Sequence, residues 1–310
     1  MSATDTGWVR VRAPAKLNLW LDVLARRADG YHEVDTGLVA LEWADELRLR
    51  RAPGSQVTFQ VEGPAATPDV PRDASNLALR ALLLAREALG EAGGAELVLV
   101  KNVPSRAGLG AGSADAAAAV LAAEELLKRE LAPEDAGELL ARLGSDCVFF
   151  RAAARTGFAR CTGRGERVEV LAGPSSDWHA VVLVPDVGAS TAAVYAALPS
   201  PLSPPDSTTT VRHRALQLPE GALRGMLANG LECAALSAVG GLAAWREWLD
   251  DHGGAHFRLS GSGSSFFGLF RRQGDAERCR SDLAQAARTR GMLPRALVAT
   301  RLAARGATLL

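Results

Sequence analysis

The chain has 310 residues, 48% of them hydrophobic, which is enough for a sizeable core and, at roughly 150 residues per domain, for two domains. Its 35 acidic and 35 basic side chains cancel, which argues against nucleic acid or an anionic membrane surface as a partner. Met1–Arg12 carries charges and no apolar run, and the uncharged stretch Val187–Pro205 is too rich in Pro, Ser and Ala to span a bilayer, so a cytoplasmic protein is expected.

In chain order, β-branched or alternating segments predict strands at Trp8–Arg12, Glu46–Arg50, Gln56–Glu62 and Glu96–Val103. Apolar spacing predicts helices over Ser75–Gly90, Ser113–Lys128 and Pro133–Leu143, the second being almost pure Ala, Leu and Glu. A second half begins near Val168, with a strand at His179–Pro185 and a short helix at Ala192–Leu198. Next come a loop over Pro199–Thr210, strands at His256–Ser260 and Ser265–Phe270, a helix over Asp275–Arg290 and a strand at Ala296–Leu302. The domain boundary is placed near Arg167, giving residues 1–167 and 168–310. The four cysteines, Cys147, Cys161, Cys233 and Cys279, show neither a CxxC pair nor zinc spacing; reduced, mostly buried thiols are expected.

The strongest local signal is Pro104-Ser105-Arg106-Ala107-Gly108-Leu109-Gly110-Ala111-Gly112-Ser113-Ala114-Asp115, which follows a strand and runs into a strong helix. Alternating glycines let the backbone turn tightly and approach a ligand, and the helix start offers unpaired N–H groups. Together they make an anion cradle suited to a triphosphate, with Ser113 either capping the helix or facing a phosphate or metal ion. A tight turn without a ligand is the alternative for such a loop taken alone. No lysine follows a glycine, so this is no Walker loop. Ser113 stands where a GxGxxG fingerprint needs glycine, and HRD and DFG are absent.

Only three lysines occur in the chain, Lys16, Lys101 and Lys128. Lys16 lies in Pro14-Ala15-Lys16-Leu17-Asn18-Leu19, where alternation puts Lys16 and Asn18 on one strand face, a polar pair that needs a reason. Asp146, just before the apolar run Cys147–Phe150, is an acid able to polarise a hydroxyl if a lysine stands nearby; alone it reads as a cap or turn acid. Leu259-Ser260-Gly261-Ser262-Gly263-Ser264-Ser265 is a second glycine-serine loop, an ordinary hairpin by itself, and together with the first able to close over phosphates.

These motifs, in this order, resemble the GHMP kinase superfamily. Within it, Gly30-Tyr31-His32 resembles the family of 4-diphosphocytidyl-2-C-methyl-D-erythritol kinases, with further matches at Ala74–Leu77, Thr162–Glu166, Ser190–Tyr195 and Asn229–Glu232. The resemblance implies an α+β two-domain protein, with a ribosomal-protein-S5-domain-2-like N-terminal domain, a ferredoxin-like C-terminal domain and an active site between them. It implies phosphorylation of the substrate's 2-hydroxyl by ATP with Mg²⁺, in non-mevalonate isoprenoid precursor synthesis. Lys16 and Asp146 match the catalytic pair. Asn76, Pro104, Ala107, Gly108, Leu109, Gly110, Ala111, Gly112 and Ser113 match ATP-binding positions. Asn18, Tyr31, His32, Tyr195, Gly261, Ser262 and Gly263 match substrate-binding positions, with His32 reading the cytosine edge and the two tyrosines holding the base. The chain departs from the family at Ala111, often Gly, and at Ala114, often Ser. The partner implied is a small molecule, with no nucleic acid or membrane, and the protein is expected as a monomer or homodimer. The alternatives are another GHMP kinase, acting on mevalonate, homoserine or a sugar, and a non-catalytic nucleotide-binding protein on the same fold.

Overall fold

The computed structural model describes residues 7–174, 177–199, 202, 212 and 214–310. Residues 200–201 and 203–210 of the expected Pro199–Thr210 loop lie outside the described residues. The fold is mixed α+β, built on an eight-stranded and a four-stranded sheet.

Two long strands, β1 (Val9–Arg26) and β2 (His32–Ala52), pair antiparallel and form the spine of the larger sheet. They extend well beyond the expected Trp8–Arg12 and Glu46–Arg50. Their middles are buried on both faces, so the polar-apolar alternation that marks a strand is lost there. Irregularities between Pro14 and Lys16 and between Asn18 and Trp20 shift the register, yet Lys16 and Asn18 remain opposite Ala40 and Leu38 on one face. Trp20 lies against the bare backbone of Gly37, where a Cβ would stand 2.1 Å from the indole.

The same sheet contains β3 (Val57–Glu62), β4 (Gly94–Val100), β5 (Phe158–Gly163) and β6 (Arg167–Val170). Helices α1 (Leu77–Ala88), α2 (Ala111–Leu127), α3 (Pro133–Leu143) and α4 (Ser145–Ala152) form its helical layer. The alanine-rich α2 packs closely against α1 and β1; Ala114, Ala116 and Ala118 are fully buried.

The smaller sheet runs β11-β7-β10-β9, all antiparallel, from β7 (His179–Val184), β9 (Arg258–Leu259), β10 (Phe266–Phe270) and β11 (Ala296–Arg301). Its helices are α5 (Thr191–Ala196), α6 (Glu220–Met226), α7 (Glu232–Ala238), α8 (Leu242–Asp251) and α9 (Gln273–Arg290). Two short strands from the second half, β8 (Ala228–Asn229) and β12 (Thr308–Leu309), pair with β1 in the larger sheet. An apolar core joins the sheets: Leu17, Leu19, Trp20 and Phe158 from one meet Trp178, Val182 and Phe267 from the other. No helix among the described residues is long and apolar enough to cross a membrane.

Candidate active site

The cleft has a volume of about 1370 Å³, larger than the roughly 300–1,000 Å³ of a site for one small ligand, and so it suits two substrates together. It is lined from both halves of the chain, by Lys16, Tyr31, Gly108, Asp146, Tyr195 and Gly261 among others.

The glycine-rich loop leaves β4 and turns into α2. Gly108 (φ 73°) and Gly110 (φ 66°) lie in the left-handed region, which explains glycine at both positions. Gly110 is the residue preceding the helix, so α2 starts at Ala111, two residues before the expected Ser113. Ser113 is therefore not the N-cap; no side chain caps α2, and its first N–H groups are left for a ligand. Ser113 instead sits inside the first turn of α2 and lines the cleft. Ala111 tolerates its methyl because its φ is not positive, and Ala114 is sealed in the core. The Leu109 side chain is also buried, while its carbonyl accepts the Lys16 N–H at 2.9 Å. Pro104 and Ala107 line the loop's entry, and the Ala107 carbonyl accepts the Ser265 N–H at 3.1 Å.

The second loop does close onto the first. Ser260 Oγ donates to the Gly108 carbonyl at 3.0 Å, and a Cβ on Gly108 would lie 2.1 Å from the Ser260 carbonyl oxygen. Gly261 (φ 57°) lies so close that a Cβ there would be 3.1 Å from Lys16 Nζ. Asn229 fixes this loop by donating to the Leu259 and Gly261 carbonyls, each at 2.8 Å. Ser262 Oγ meets Thr191 Oγ1 at 2.9 Å, which ties the loop to the helix carrying Tyr195, and Gly263 faces the same cleft.

The structure brings Lys16 and Asp146 together across 130 residues of sequence, with Nζ and Oδ2 3.6 Å apart. Lys16 also donates to Asn18 Oδ1 at 2.5 Å and to the Gly108 carbonyl at 2.9 Å. Asn18 is oriented by its own donation to Thr36 Oγ1. The Lys16 side chain is 4% exposed and that of Asp146 35%, so Asp146 is the more open of the pair to the cleft that both line. Burial pulls the Lys16 ammonium below its ordinary value, and Asp146 opposes that fall. The nearby thiols are no rival nucleophiles: burial pushes Cys147 up to about 12 and Cys161 higher still, so neither is a thiolate at neutral pH.

Tyr31, His32 and Tyr195 are arranged differently from a simple pair of tyrosines. Tyr195 packs its ring on His32, centroids 4.9 Å apart, whereas Tyr31 is 55% exposed with the Arg164 guanidinium 4.8 Å from its ring centroid. Burial and Arg26 lower the His32 pKa, so its ring is neutral at pH 7 and offers one donor and one acceptor. Asn76 lines the cleft as the N-cap of α1, with Oδ1 accepting the Ala78 N–H and Nδ2 donating to the Pro71 carbonyl. Arg26, Arg164 and Thr191, which sequence reasoning did not single out, also line it; Arg164 and Thr191 fall within the matched segments Thr162–Glu166 and Ser190–Tyr195. Among the described residues no three His, Cys, Asp or Glu side chains converge as a metal site.

Comparison with known proteins agrees with this geometry. The family model for the GHMP kinases N terminal domain matches residues 76–152, and that for GHMP kinases C terminal matches residues 211–289. The chain is 37% identical to the 4-diphosphocytidyl-2-C-methyl-D-erythritol kinase of Rhodopirellula baltica, over 86% of this chain and 88% of that one. It is 38% identical to the same-named enzyme of Salinispora tropica, over 90% and 88%. A crystal structure of 4-(cytidine 5'-diphospho)-2C-methyl-D-erythritol kinase superposes with a TM-score of 0.74 at 33% identity, covering 94% of this chain and 98% of that one. A homoserine kinase from Cytophaga hutchinsonii shares the fold at a TM-score of 0.73 but only 19% identity, covering 100% and 99%.

Proposed function

We propose, from the fact that this chain belongs to the family of 4-diphosphocytidyl-2-C-methyl-D-erythritol kinases within the GHMP kinases, that it transfers the γ-phosphate of ATP to the 2-hydroxyl of 4-diphosphocytidyl-2-C-methyl-D-erythritol. The products are the 2-phosphate and ADP, in isoprenoid precursor synthesis. The observation that carries the reading is one cleft lined together by the Lys16–Asp146 pair, a glycine-rich helix start, and His32, Tyr31 and Tyr195.

ATP lays its phosphates over Gly108–Ser113, where the uncapped N–H groups of α2 and the helix dipole offset their charge. Magnesium enters as part of the nucleotide substrate, where its charge would help offset that of the transferring phosphoryl group. Cytosine lies against the aromatic cluster, with the neutral His32 ring addressing its hydrogen-bonding edge. Anchoring the base and the triphosphate together places the 2-hydroxyl before the γ-phosphate, and positioning of this sort lowers barriers by up to about 7–11 kcal/mol. Asp146 accepts the hydroxyl proton. Lys16, held by Asn18 and the Gly108 carbonyl, stands 3.6 Å from Asp146 and fixes its orientation. The two domains, residues 1–167 and 168–310, supply the two walls of the cleft, and the protein works as a monomer or homodimer in the cytoplasm.

The test is ADP release with MgATP and the cytidyl substrate, run beside mevalonate and homoserine. Turnover with the cytidyl substrate alone is the expected result. Turnover with one of the other alcohols moves the chain to another GHMP activity, and ATP binding without transfer to any acceptor makes it a nucleotide-binding protein.

A further inference from the structure

Beneath the phosphate loop lies a charged cluster, two members of which, Lys101 and Asp115, also reach the lining of the cleft. Lys101, at the end of β4, is 1% exposed, Asp45 of β2 is 1% exposed and Asp115 of α2 is 2% exposed. Lys101 Nζ donates to Asp115 Oδ2 at 2.8 Å and also to Asp45 Oδ2. The other oxygen of Asp45 accepts the N–H groups of Asn102 at 2.5 Å and Val103 at 2.8 Å, the last residues before the loop. Asp115 lies just past the loop's other end, on the second turn of α2. One ammonium therefore joins the strand that enters the loop to the helix that leaves it.

We propose that Lys101, Asp45 and Asp115 are positioning residues, a buried staple that holds the two ends of the phosphate loop at a fixed separation and keeps the charge behind the loop neutral toward ATP. This deepens the kinase reading and rests on ATP occupying Gly108–Ser113. Buried ion clusters are poor sources of stability, because desolvation cancels much of the attraction, so a stabilising role alone does not account for one here. Fixed loop ends, in contrast, keep the amide donors aimed before the phosphates arrive. The charge matters as well. A bare carboxylate one turn behind an anion cradle opposes the helix dipole and repels the triphosphate.

The cluster has two carboxyls and one ammonium, so neutrality requires one proton. Burial, with Asp45 alongside, pushes the Asp115 carboxyl up to about 8, and its Oδ1 is buried without a hydrogen-bond partner. The groups facing it are Lys101 just past β4, Asp45 from β2 and the neutral thiol of Cys147 from α4. Near pH 7 Asp115 holds the proton and the staple is neutral; above about pH 8 it gains a negative charge behind the phosphates.

The test is steady-state kinetics of Asp115→Asn, Asp115→Leu and Lys101→Met between pH 6.5 and about 9.5. Asp115→Leu and Lys101→Met break the staple, and each raises KM for MgATP about tenfold or more at pH 7, with KM for the acceptor within twofold. Asp115→Asn keeps the shape and the acceptor for Lys101. It stays near wild type at pH 7 and abolishes the alkaline rise in KM for MgATP that the unaltered enzyme shows. Should Lys101→Met fail to fold, the two Asp115 variants decide the matter. Folded Asp115→Leu with wild-type KM for MgATP, equal rises in both KM values, or an alkaline rise that survives in Asp115→Asn overturns the proposal. An unaltered protein that releases no ADP with any acceptor sinks the kinase reading itself, a distinct outcome.

Discussion

Replacing Asp146 with Asn removes the carboxylate paired with Lys16 and leaves the shape of the cleft intact. In the proposed role of general base, Asp146 contributes about 10²–10⁴-fold in rate, or roughly 3–5 kcal/mol of barrier. The 3.6 Å separation from Lys16 Nζ sets a scale for the electrostatic coupling. At an effective dielectric constant of about 20 it is worth roughly 4–5 kcal/mol, less after solvent screening because the Asp146 side chain is 35% exposed. In the proposed binding mode the amides that hold ATP come from Gly108–Ser113 and do not involve the carboxylate, so KM for ATP stays within about threefold. Meanwhile Lys16, 4% exposed, loses its counter-charge and keeps only Asn18 Oδ1 and the Gly108 carbonyl, so thermal stability falls modestly. The assay is kcat and KM for ATP from coupled ADP release, with melting followed by circular dichroism. A kcat within tenfold of wild type, or a loss of ATP affinity equal to the loss of kcat, refutes Asp146 as base and makes it a structural acid.

Tyr195→Ala removes the ring against His32. Stacking worth about 1–3 kcal/mol per base predicts a roughly 10–100-fold rise in KM for the cytidyl substrate, with KM for ATP nearly unchanged in the same assay. Gly108→Ala puts a Cβ 2.1 Å from the Ser260 carbonyl oxygen at a φ of 73°. The strain and the clash together cost about 2–5 kcal/mol, seen as a lower unfolding midpoint in urea and a large loss of activity. Burial, with Arg224, Arg258 and Arg246 nearby, lowers His256 from its ordinary 6.5 to about 4. The unfolded chain therefore takes up this proton first, so the neutral ring's contribution to stability is whole above pH 6.5 and is lost as the pH falls toward 4. His256→Phe is expected to flatten part of the fall in melting temperature between those values; an unchanged slope assigns the acid sensitivity to other groups.

Much of the site was legible because its parts are local. The glycine-rich loop and the Lys16–Asn18 alternation are written within a few residues of sequence, and their backbone meanings follow from φ and from strand periodicity. The match to known kinases then joined them. Where the reading fell short, the cause was tertiary. The long middles of β1 and β2 hid their extent because both faces are buried. The start of α2 was set by Gly110 in the left-handed region rather than by a side-chain cap at Ser113. The packing of Tyr195 on His32 and of Arg164 on Tyr31 depends on how two sheets and a turn converge, which no spacing records. Lys101 stood out as one of three lysines, but its partners Asp45 and Asp115 lie 56 and 14 residues away and carry no shared pattern.

The most direct test of the account is ³¹P NMR of the reaction with MgATP and 4-diphosphocytidyl-2-C-methyl-D-erythritol. The account predicts loss of the γ-phosphate signal, appearance of one new phosphomonoester on the acceptor, and an intact cytidyl diphosphate. Release of inorganic phosphate alone, or a spectrum that does not change, contradicts it.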